Sequence, residues 1–97
     1  MTIEKRMNGN SAELILDGWM DTQSVPQLAA ALDELGPETE SLTLDLTGLE
    51  YTSSAGIRQI IAAHKQMKGA LTLKHVSPEI LDVLKMTGVD KRLNIEP

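Results

Sequence analysis

The sequence predicts an α/β fold in which crossover helices connect the strands of a small mixed, mostly parallel β-sheet. Its apolar residues recur every two positions in some segments and every three to four in others, in the order ββαβαβα followed by a short strand. Parallel neighbours need a crossover connection, which is usually a helix and nearly always right-handed. With 97 residues and 41% hydrophobic content, we expect one core and a single domain over residues 1–97.

The first two strands are predicted to form an antiparallel hairpin. Apolar and polar residues alternate over residues 2–7 and again over residues 12–17. Between these runs lies Asn8-Gly9-Asn10, and Asn-Gly favours a tight turn because both residues tolerate positive φ. The two strands should therefore be neighbours in the sheet.

After Gly18 the spacing of apolar residues becomes helical. The first predicted helix has one apolar face, made of Val25, Leu28, Leu32 and Leu35. Ser24 and Gln27 have the spacing of a reciprocal cap at its start, and Gly36-Pro37 is predicted to end it.

Two further helices are predicted between three short strands. The second helix carries Ile57, Ile60, Ile61 and Met67 and ends at Gly69. The third begins at Ser77-Pro78, with serine as N-cap and proline at the first helical position, and ends at Gly88. The predicted strands cover residues 42–47, 71–73 and 93–95.

Composition and charge exclude several classes of function. Nine Lys and Arg against fourteen Asp and Glu give a net charge of −5, so we expect no nucleic-acid partner. There is no cysteine, and the longest apolar run is only Leu28 to Leu32. We therefore expect a cytoplasmic protein that neither inserts into a membrane nor is exported. His64 and His75 lack further ligands at metal-binding spacing, so we expect no metal and no cofactor.

One segment, Asp45–Ile57, carries the candidate chemistry. In it a strand ends, the chain turns, and a helix begins among Ser53, Ser54, Ala55 and Gly56. Unpaired amides and the helix dipole at such a point stabilise a phosphate by typically about 0.3 to 1 kcal/mol. From residue type alone, plain helix capping by the hydroxyls is the more common role. The small side chains of Ala55 and Gly56 would also admit the backbone of a partner.

The segment resembles the signature of STAS domains, and among them the anti-sigma factor antagonists of bacteria. The typical antagonist run is Asp-Leu-Ser, an aliphatic residue, an aromatic, an aliphatic, then Asp-Ser-Ser-Gly-Leu. The matching residues here are Asp45-Leu46-Thr47, Leu49, Tyr51, Ser54 and Gly56-Ile57. Upstream, Leu16 to Asp21 is similar to the family's aliphatic-x-Gly-x-Leu-Asp. Two positions depart from the pattern, because Ser53 replaces the acidic residue and Ala55 replaces the second serine.

The resemblance implies a partner switch and not an enzyme. The unphosphorylated protein would bind an anti-sigma factor that is also a serine kinase, and so release a sigma factor. Phosphorylation of Ser54 would end binding, a metal-dependent serine phosphatase would reverse it, and Ser53 is a competing acceptor. The predicted partner-binding residues are Trp19, Asp21, Thr52, Ser53, Ser54, Ala55 and Gly56. For Trp19 core packing is the alternative role, and for Asp21 it is a turn or cap ahead of the first helix.

Two other functions stay open, and a third is disfavoured by the sequence. One is a STAS accessory subunit of a membrane lipid transporter, although members of that group often carry Thr-Gly-Gly at this point. Another is a partner switch that controls a target other than a sigma factor. A serine hydrolase is disfavoured, because its nucleophile elbow Gly-x-Ser-x-Gly would need glycine where Thr52 stands.

Overall fold

The computed structural model describes residues 1–96. Within them the elements follow one another as β1 (Thr2–Asn8), β2 (Ser11–Met20), α1 (Val25–Asp33), β3 (Ser41–Thr52), α2 (Ser54–Gln66), β4 (Leu71–Lys74), α3 (Pro78–Thr87) and β5 (Asn94–Glu96). A short 3₁₀ helix, Val89–Lys91, precedes β5. The predicted order of strands and helices is confirmed.

The strands form one sheet in the order β1-β2-β3-β4-β5. β1 and β2 are antiparallel, as the hairpin prediction required, and the other three neighbouring pairs are parallel. Each parallel pair is joined through one of the three helices. The predicted mixed, mostly parallel sheet with crossover helices is therefore confirmed.

One face of the sheet forms the core. Leucines at alternate positions of the three central strands are buried: Leu14, Leu16, Leu42, Leu44, Leu46, Leu71 and Leu73. They share one cluster with buried helix residues such as Leu28, Ile60 and Leu84. The alternating residues of the other face, among them Glu13, Thr43 and Thr72, are only half-buried. This pattern follows from the two-residue period of a strand, which separates its side chains between two faces.

Two local predictions about α1 are wrong. Ser24 does occupy the N-cap position, but its side chain makes no cap hydrogen bond, because its Oγ accepts from the Asp21 amide at 2.9 Å and its hydroxyl proton is directed to the Trp19 carbonyl at 2.7 Å and to Asp21 Oδ1 at 2.9 Å. Gln27 instead donates its side-chain amide to the Met1 carbonyl at 3.0 Å. The helix also ends at Asp33 and not at Gly36, because the Leu35 amide turns back to the Leu32 carbonyl at 3.2 Å.

β2 and β3 continue beyond their predicted ends, to Met20 and Thr52. Their pairing shifts register between Ile15 and Asp17 and again between Gly18 and Trp19. Gly18 has a φ of 105°, a conformation that side chains of L-residues rarely adopt. Such bulges interrupt strict alternation, which is why the period of two concealed the last part of each strand.

Candidate functional site

The Ser53-Ser54 pair lies where β3 passes into α2, beside the end of β2. The amide of Ser53 donates to the Met20 carbonyl at 2.8 Å, which ties this junction to the last residue of β2. Asp21 follows Met20 directly. The fold therefore brings two separate sequence motifs, one ending in Asp21 and one containing Ser54, to the same edge of the sheet.

The two serines occupy different positions at the start of α2. Ser53 is the N-cap, with extended backbone, and its Oγ accepts a hydrogen bond from the Gly56 amide at 3.2 Å. Ser54 is the first helical residue and is exposed. Within residues 1–96 the amides of Ser54 and Ala55 have no acceptor, and the first turn of α2 contains no acidic residue. The capping role is thus confirmed for Ser53, which leaves the Ser54 hydroxyl at the surface.

Thr52 and Gly56 lie beneath this surface. Thr52 is only 4% exposed, and Gly56 is buried. A Cβ atom at position 56 would overlap Thr52 Oγ1 and lie 3.0 Å from Met20 Cε. The close approach that glycine permits here is therefore made by the protein's own Thr52 and Met20. Ala55 is half-buried, so in this conformation Thr52 and Gly56 position the helix while Ser53, Ser54 and Ala55 form the accessible part.

Asp21 caps the turn that precedes α1. Its Oδ1 accepts from the amides of Gln23 at 3.0 Å and Ser24 at 2.9 Å, and from the Ser24 hydroxyl at 2.9 Å. These bonds, with that of the Ser24 hydroxyl the strongest, hold the pKa of Asp21 below its ordinary value because they favour the carboxylate. The turn-capping role considered for Asp21 is thus confirmed.

Trp19 is exposed, as the sequence allowed. It is 56% exposed, and its Nε1 donates to Glu50 Oε2 at 3.1 Å. Tyr51 is its register neighbour on β3, and the two ring centroids lie 5.2 Å apart at an interplanar angle of 40°. Sequence reasoning missed the grouping of Tyr51 and Glu50 with Trp19. Only the register of β2 against β3 could have revealed it, and the two bulges alter that register.

Asp45, the first residue of the motif, makes local hydrogen bonds within β3, ahead of the site. Its Oδ1 accepts from the amide of Thr47 at 3.0 Å and from the Thr47 hydroxyl at 2.6 Å. Partial burial raises the pKa of Asp45, but these hydrogen bonds and the nearby positive charges outweigh burial and leave the pKa lowered. The Asp45 carboxylate therefore fixes the position of Thr47 through two hydrogen bonds.

The remaining predictions concern metals and membranes. His64 is half-buried on α2 and His75 is exposed after β4. Among residues 1–96 no three His, Cys, Asp or Glu side chains are grouped as metal ligands would be. Across the same residues, none of the helices has both the length and the apolar character needed to cross a membrane.

Comparison with known proteins identifies the family. The chain matches the family model described as "Mlab, STAS domain" over residues 3–96. The protein therefore belongs to the STAS-domain family, and the resemblance seen in its motifs is confirmed.

Two curated relatives carry names of the anti-sigma factor antagonist class. The anti-sigma-B factor antagonist of Bacillus subtilis (strain 168) is 24% identical over 98 residues, covering 98% of this chain and 90% of the relative. BtrV of Bordetella bronchiseptica, proposed to be an anti-sigma factor antagonist, is 31% identical over 77 residues, covering 75% of this chain and 66% of the relative. The chain is thus similar to anti-sigma factor antagonists.

The fold is also that of SpoIIAA, described as an anti-sigma factor antagonist and as a Bacillus cell fate determinant. Its unphosphorylated form aligns with a TM-score of 0.74 over 99% of this chain and 88% of that chain. Its phosphorylated form aligns with a TM-score of 0.75 over 99% and 92%. Sequence identity is 15% in both cases, so this likeness concerns the fold.

Proposed function

We propose that residues 1–97 form a single cytoplasmic STAS domain that works as an anti-sigma factor antagonist and is switched by phosphorylation of Ser54. The unphosphorylated protein binds an anti-sigma factor that is also a serine kinase, which releases a sigma factor. The observation that carries the proposal is the exposed Ser54 hydroxyl on the first residue of α2, where neighbouring amides are unpaired within residues 1–96. The two curated relatives named as antagonists support it.

The start of α2 suits a phosphate. A phosphoserine carries about −1.5 to −2 charges at pH 7, and the helix N-terminus offers both free amides and a positive dipole end. The absence of acidic residues from the first turn of α2 removes one source of repulsion. Arg58 lies four residues after Ser54 on the same helix, a spacing that places two side chains on one face. SpoIIAA, which shares the fold, has been solved in a phosphorylated form.

Ser54 is a better site for phosphorylation than Ser53. Ser53 is half-buried, and its Oγ already accepts from the Gly56 amide at 3.2 Å. Phosphorylation at Ser53 would therefore disturb the N-cap of α2, whereas Ser54 can be modified without loss of a cap. This difference in hydrogen bonding favours Ser54 although the two serines are adjacent.

Binding would be lost at the interface and not through unfolding. A dianion that faces an apolar or acidic partner surface must be desolvated, and each 1.4 kcal/mol of that penalty weakens binding about tenfold. A change from nearly all bound to nearly all free requires on the order of 5.5 kcal/mol. A metal-dependent serine phosphatase would return the protein to its binding form.

The first experiment is fragment mass spectrometry of the protein from its own cells, with phosphatases inhibited. We expect one phosphate on the peptide that contains both serines, localised to Ser54. Loss of the signal in Ser54→Ala but not in Ser53→Ala would support the assignment. A phosphate on Ser53, or none under several growth and stress conditions, would contradict it.

Affinity for the partner tests the switch itself. We expect Ser54→Ala to bind the anti-sigma factor persistently and Ser54→Asp to bind it weakly, since only the second adds a charge at the interface. Calorimetry with the purified pair measures both affinities, with Ser41→Ala, at the opposite end of β3 from the site, as the matched control. Equal affinities for the Ser54 variants would remove Ser54 from the mechanism.

A second candidate is a STAS accessory subunit of a membrane lipid transporter. The family model is described by the name Mlab and not by a sigma regulator, and this observation favours keeping the candidate. A partner switch with a target other than a sigma factor would use the same chemistry at Ser54. Genomic neighbours discriminate, because a kinase-type anti-sigma factor supports the main proposal and transporter genes support the second candidate.

A further inference from the structure

The surface beside the Ser54 site carries an exposed aromatic pair next to a carboxylate. We define Trp19, Glu50 and Tyr51 as the aromatic cradle. Trp19 and Tyr51 are 56% and 43% exposed, and the Trp19 indole donates to Glu50 Oε2 at 3.1 Å. Their ring centroids lie 5.2 Å apart. These two neighbouring aromatic side chains therefore leave a large apolar area exposed at the surface.

The cradle is held in place by the backbone below it. The register shift between Gly18 and Trp19 places one extra residue, Glu50, on β3 opposite these two residues, and Gly18 itself has a φ of 105°. The Trp19 carbonyl accepts from the Ser24 hydroxyl at 2.7 Å, and Ser24 is itself buried. A backbone that is fixed before binding loses less conformational entropy when a partner arrives. The aromatic cradle is therefore suited to contact with a partner protein.

The charge of Glu50 determines what fits the cradle. Within residues 1–96 the structure has one ion pair, which joins Arg6 to Glu4. Within these residues the Glu50 carboxylate is therefore not paired with a cation, and it accepts from the indole of Trp19, whose ring lies beside that of Tyr51. Aromatic faces attract cations, and a guanidinium can stack on a ring while it donates to a carboxylate. The chain as a whole has a net charge of −5, which also favours a positively charged partner surface.

We propose that the aromatic cradle receives an arginine side chain of the protein partner that covers Ser54. This inference rests on the proposed function for the identity of the partner, and it adds the chemistry by which that partner is recognised. The cradle is close to the site along the chain, since Tyr51 lies three residues before Ser54, at most about 10 Å of extended chain, and a single interface of ordinary size covers both. The arginine is an anchor that does not depend on the state of Ser54.

Trp19 is the only tryptophan of the chain, so its fluorescence reports directly on the cradle. The probe is acetylated tetra-arginine amide, titrated into the full chain, with tetra-lysine amide of equal charge as the comparison. We expect a saturable change with the arginine peptide and a weaker one with lysine, which lacks the planar group. Glu50→Gln should weaken binding of the arginine peptide about fivefold.

The matched control is Glu34→Gln, which removes the same charge from an exposed residue at the far end of α1. It should change the affinity less than about twofold, because screening limits the effect of a distant surface charge. Equal weakening by the two variants, equal binding of arginine and lysine peptides, or no saturable response up to millimolar peptide would overturn the proposal. Equal binding of a neutral tetra-glutamine peptide would do so as well. Since the titration does not involve phosphate, its failure is distinguishable from failure of the Ser54 switch.

Discussion

At the scale of single residues, two adjacent serines divide the work at the start of α2. Ser53 caps the helix, whereas Ser54 presents its hydroxyl at the surface. From the sequence alone, either of these adjacent serines could have been the N-cap. The difference arises from one step of backbone, because the N-cap is extended while the next residue is helical. A serine whose hydroxyl group already makes a hydrogen bond is a poorer phosphorylation site than its exposed neighbour.

Gly56 is the residue at which the site is most sensitive to added volume. We expect Gly56→Ala to destabilise the protein by about 1–3 kcal/mol, because its methyl group would overlap Thr52 Oγ1 and crowd Met20. Urea unfolding measures the loss. Gly36→Ala is the control, since the three atoms nearest to a methyl there belong to the flexible carboxylate end of Glu38, and it should change stability by about 0.5 kcal/mol or less. Equal effects would show that Gly56 is not closely packed.

Asp21 gives a pH dependence whose sign is fixed by its hydrogen bonds. Its folded-state pKa is lowered, chiefly by the Ser24 hydroxyl, so the carboxylate stabilises the fold above its unfolded pKa, and this contribution is lost as the pH falls through the folded value. We expect the stability difference between wild type and Asp21→Asn to be largest near neutral pH and to shrink below about pH 4. NMR titration should also show the pKa of Asp21 rising in Ser24→Ala. An unchanged pKa in that variant would contradict this account.

At the scale of elements, the β2–β3 pair and α2 together create the site. The two strands end side by side, and the bulges in their pairing set Trp19 beside Tyr51. The helix begins where β3 ends, so its positive dipole end lies at the same edge. The site therefore depends on strand register and on the helix start, and not on any one motif residue.

The caps of α2 and α3 provide a matched pair for a test of this dependence. Ser53 and Ser77 each accept a hydrogen bond from the amide three residues later, both at 3.2 Å. We expect Ser53→Ala and Ser77→Ala each to cost about 0.5–2 kcal/mol of stability, because each leaves one helix amide without its partner. Thermal or urea unfolding measures both. If Ser53→Ala alone cost nothing, the assigned N-cap of α2 would be wrong.

At the scale of the whole molecule, the core and the site are largely independent. The core is aliphatic and lies between one face of the sheet and the helices, whereas Ser54 is at the surface. A charge added at Ser54 therefore enters water and the free end of α2, and not the core. This separation allows a modification to alter an interface while the fold persists.

We therefore expect phosphorylation of Ser54 to leave global stability within about 1 kcal/mol, which for a domain of this size is a change in Tm of less than about 4–8 °C. Calorimetry of the modified and unmodified proteins measures this change. Arg58→Gln should lower the Tm of the phosphorylated protein more than that of the unmodified one, because it removes a cation at the i+4 position. A large fall in Tm on phosphorylation would indicate that the switch acts by unfolding.

Helix ends that depend on neighbouring residues could be predicted from the sequence, whereas those that depend on other contacts could not. The third helix was predicted at both ends, since Ser77 and Pro78 begin it and Gly88, with φ of 77°, follows its last residue. The end of α1 was not, because the Leu35–Leu32 hydrogen bond closes the helix before Gly36. The Ser24–Gln27 cap failed for a similar reason, as Ser24 binds Trp19 and Asp21 instead.

The sequence alone determined the order of elements, the aliphatic core and the presence of a serine at a helix start, because these depend on period, turn residues and short motifs read along the chain. Only the tertiary structure decided that Ser54 is exposed while Thr52 and Gly56 are buried. It also decided that Trp19 meets Tyr51 and Glu50, across 31 residues in the case of the indole hydrogen bond. These facts depend on how β2 is paired with β3, and two bulges shift that pairing in a way that no local pattern records.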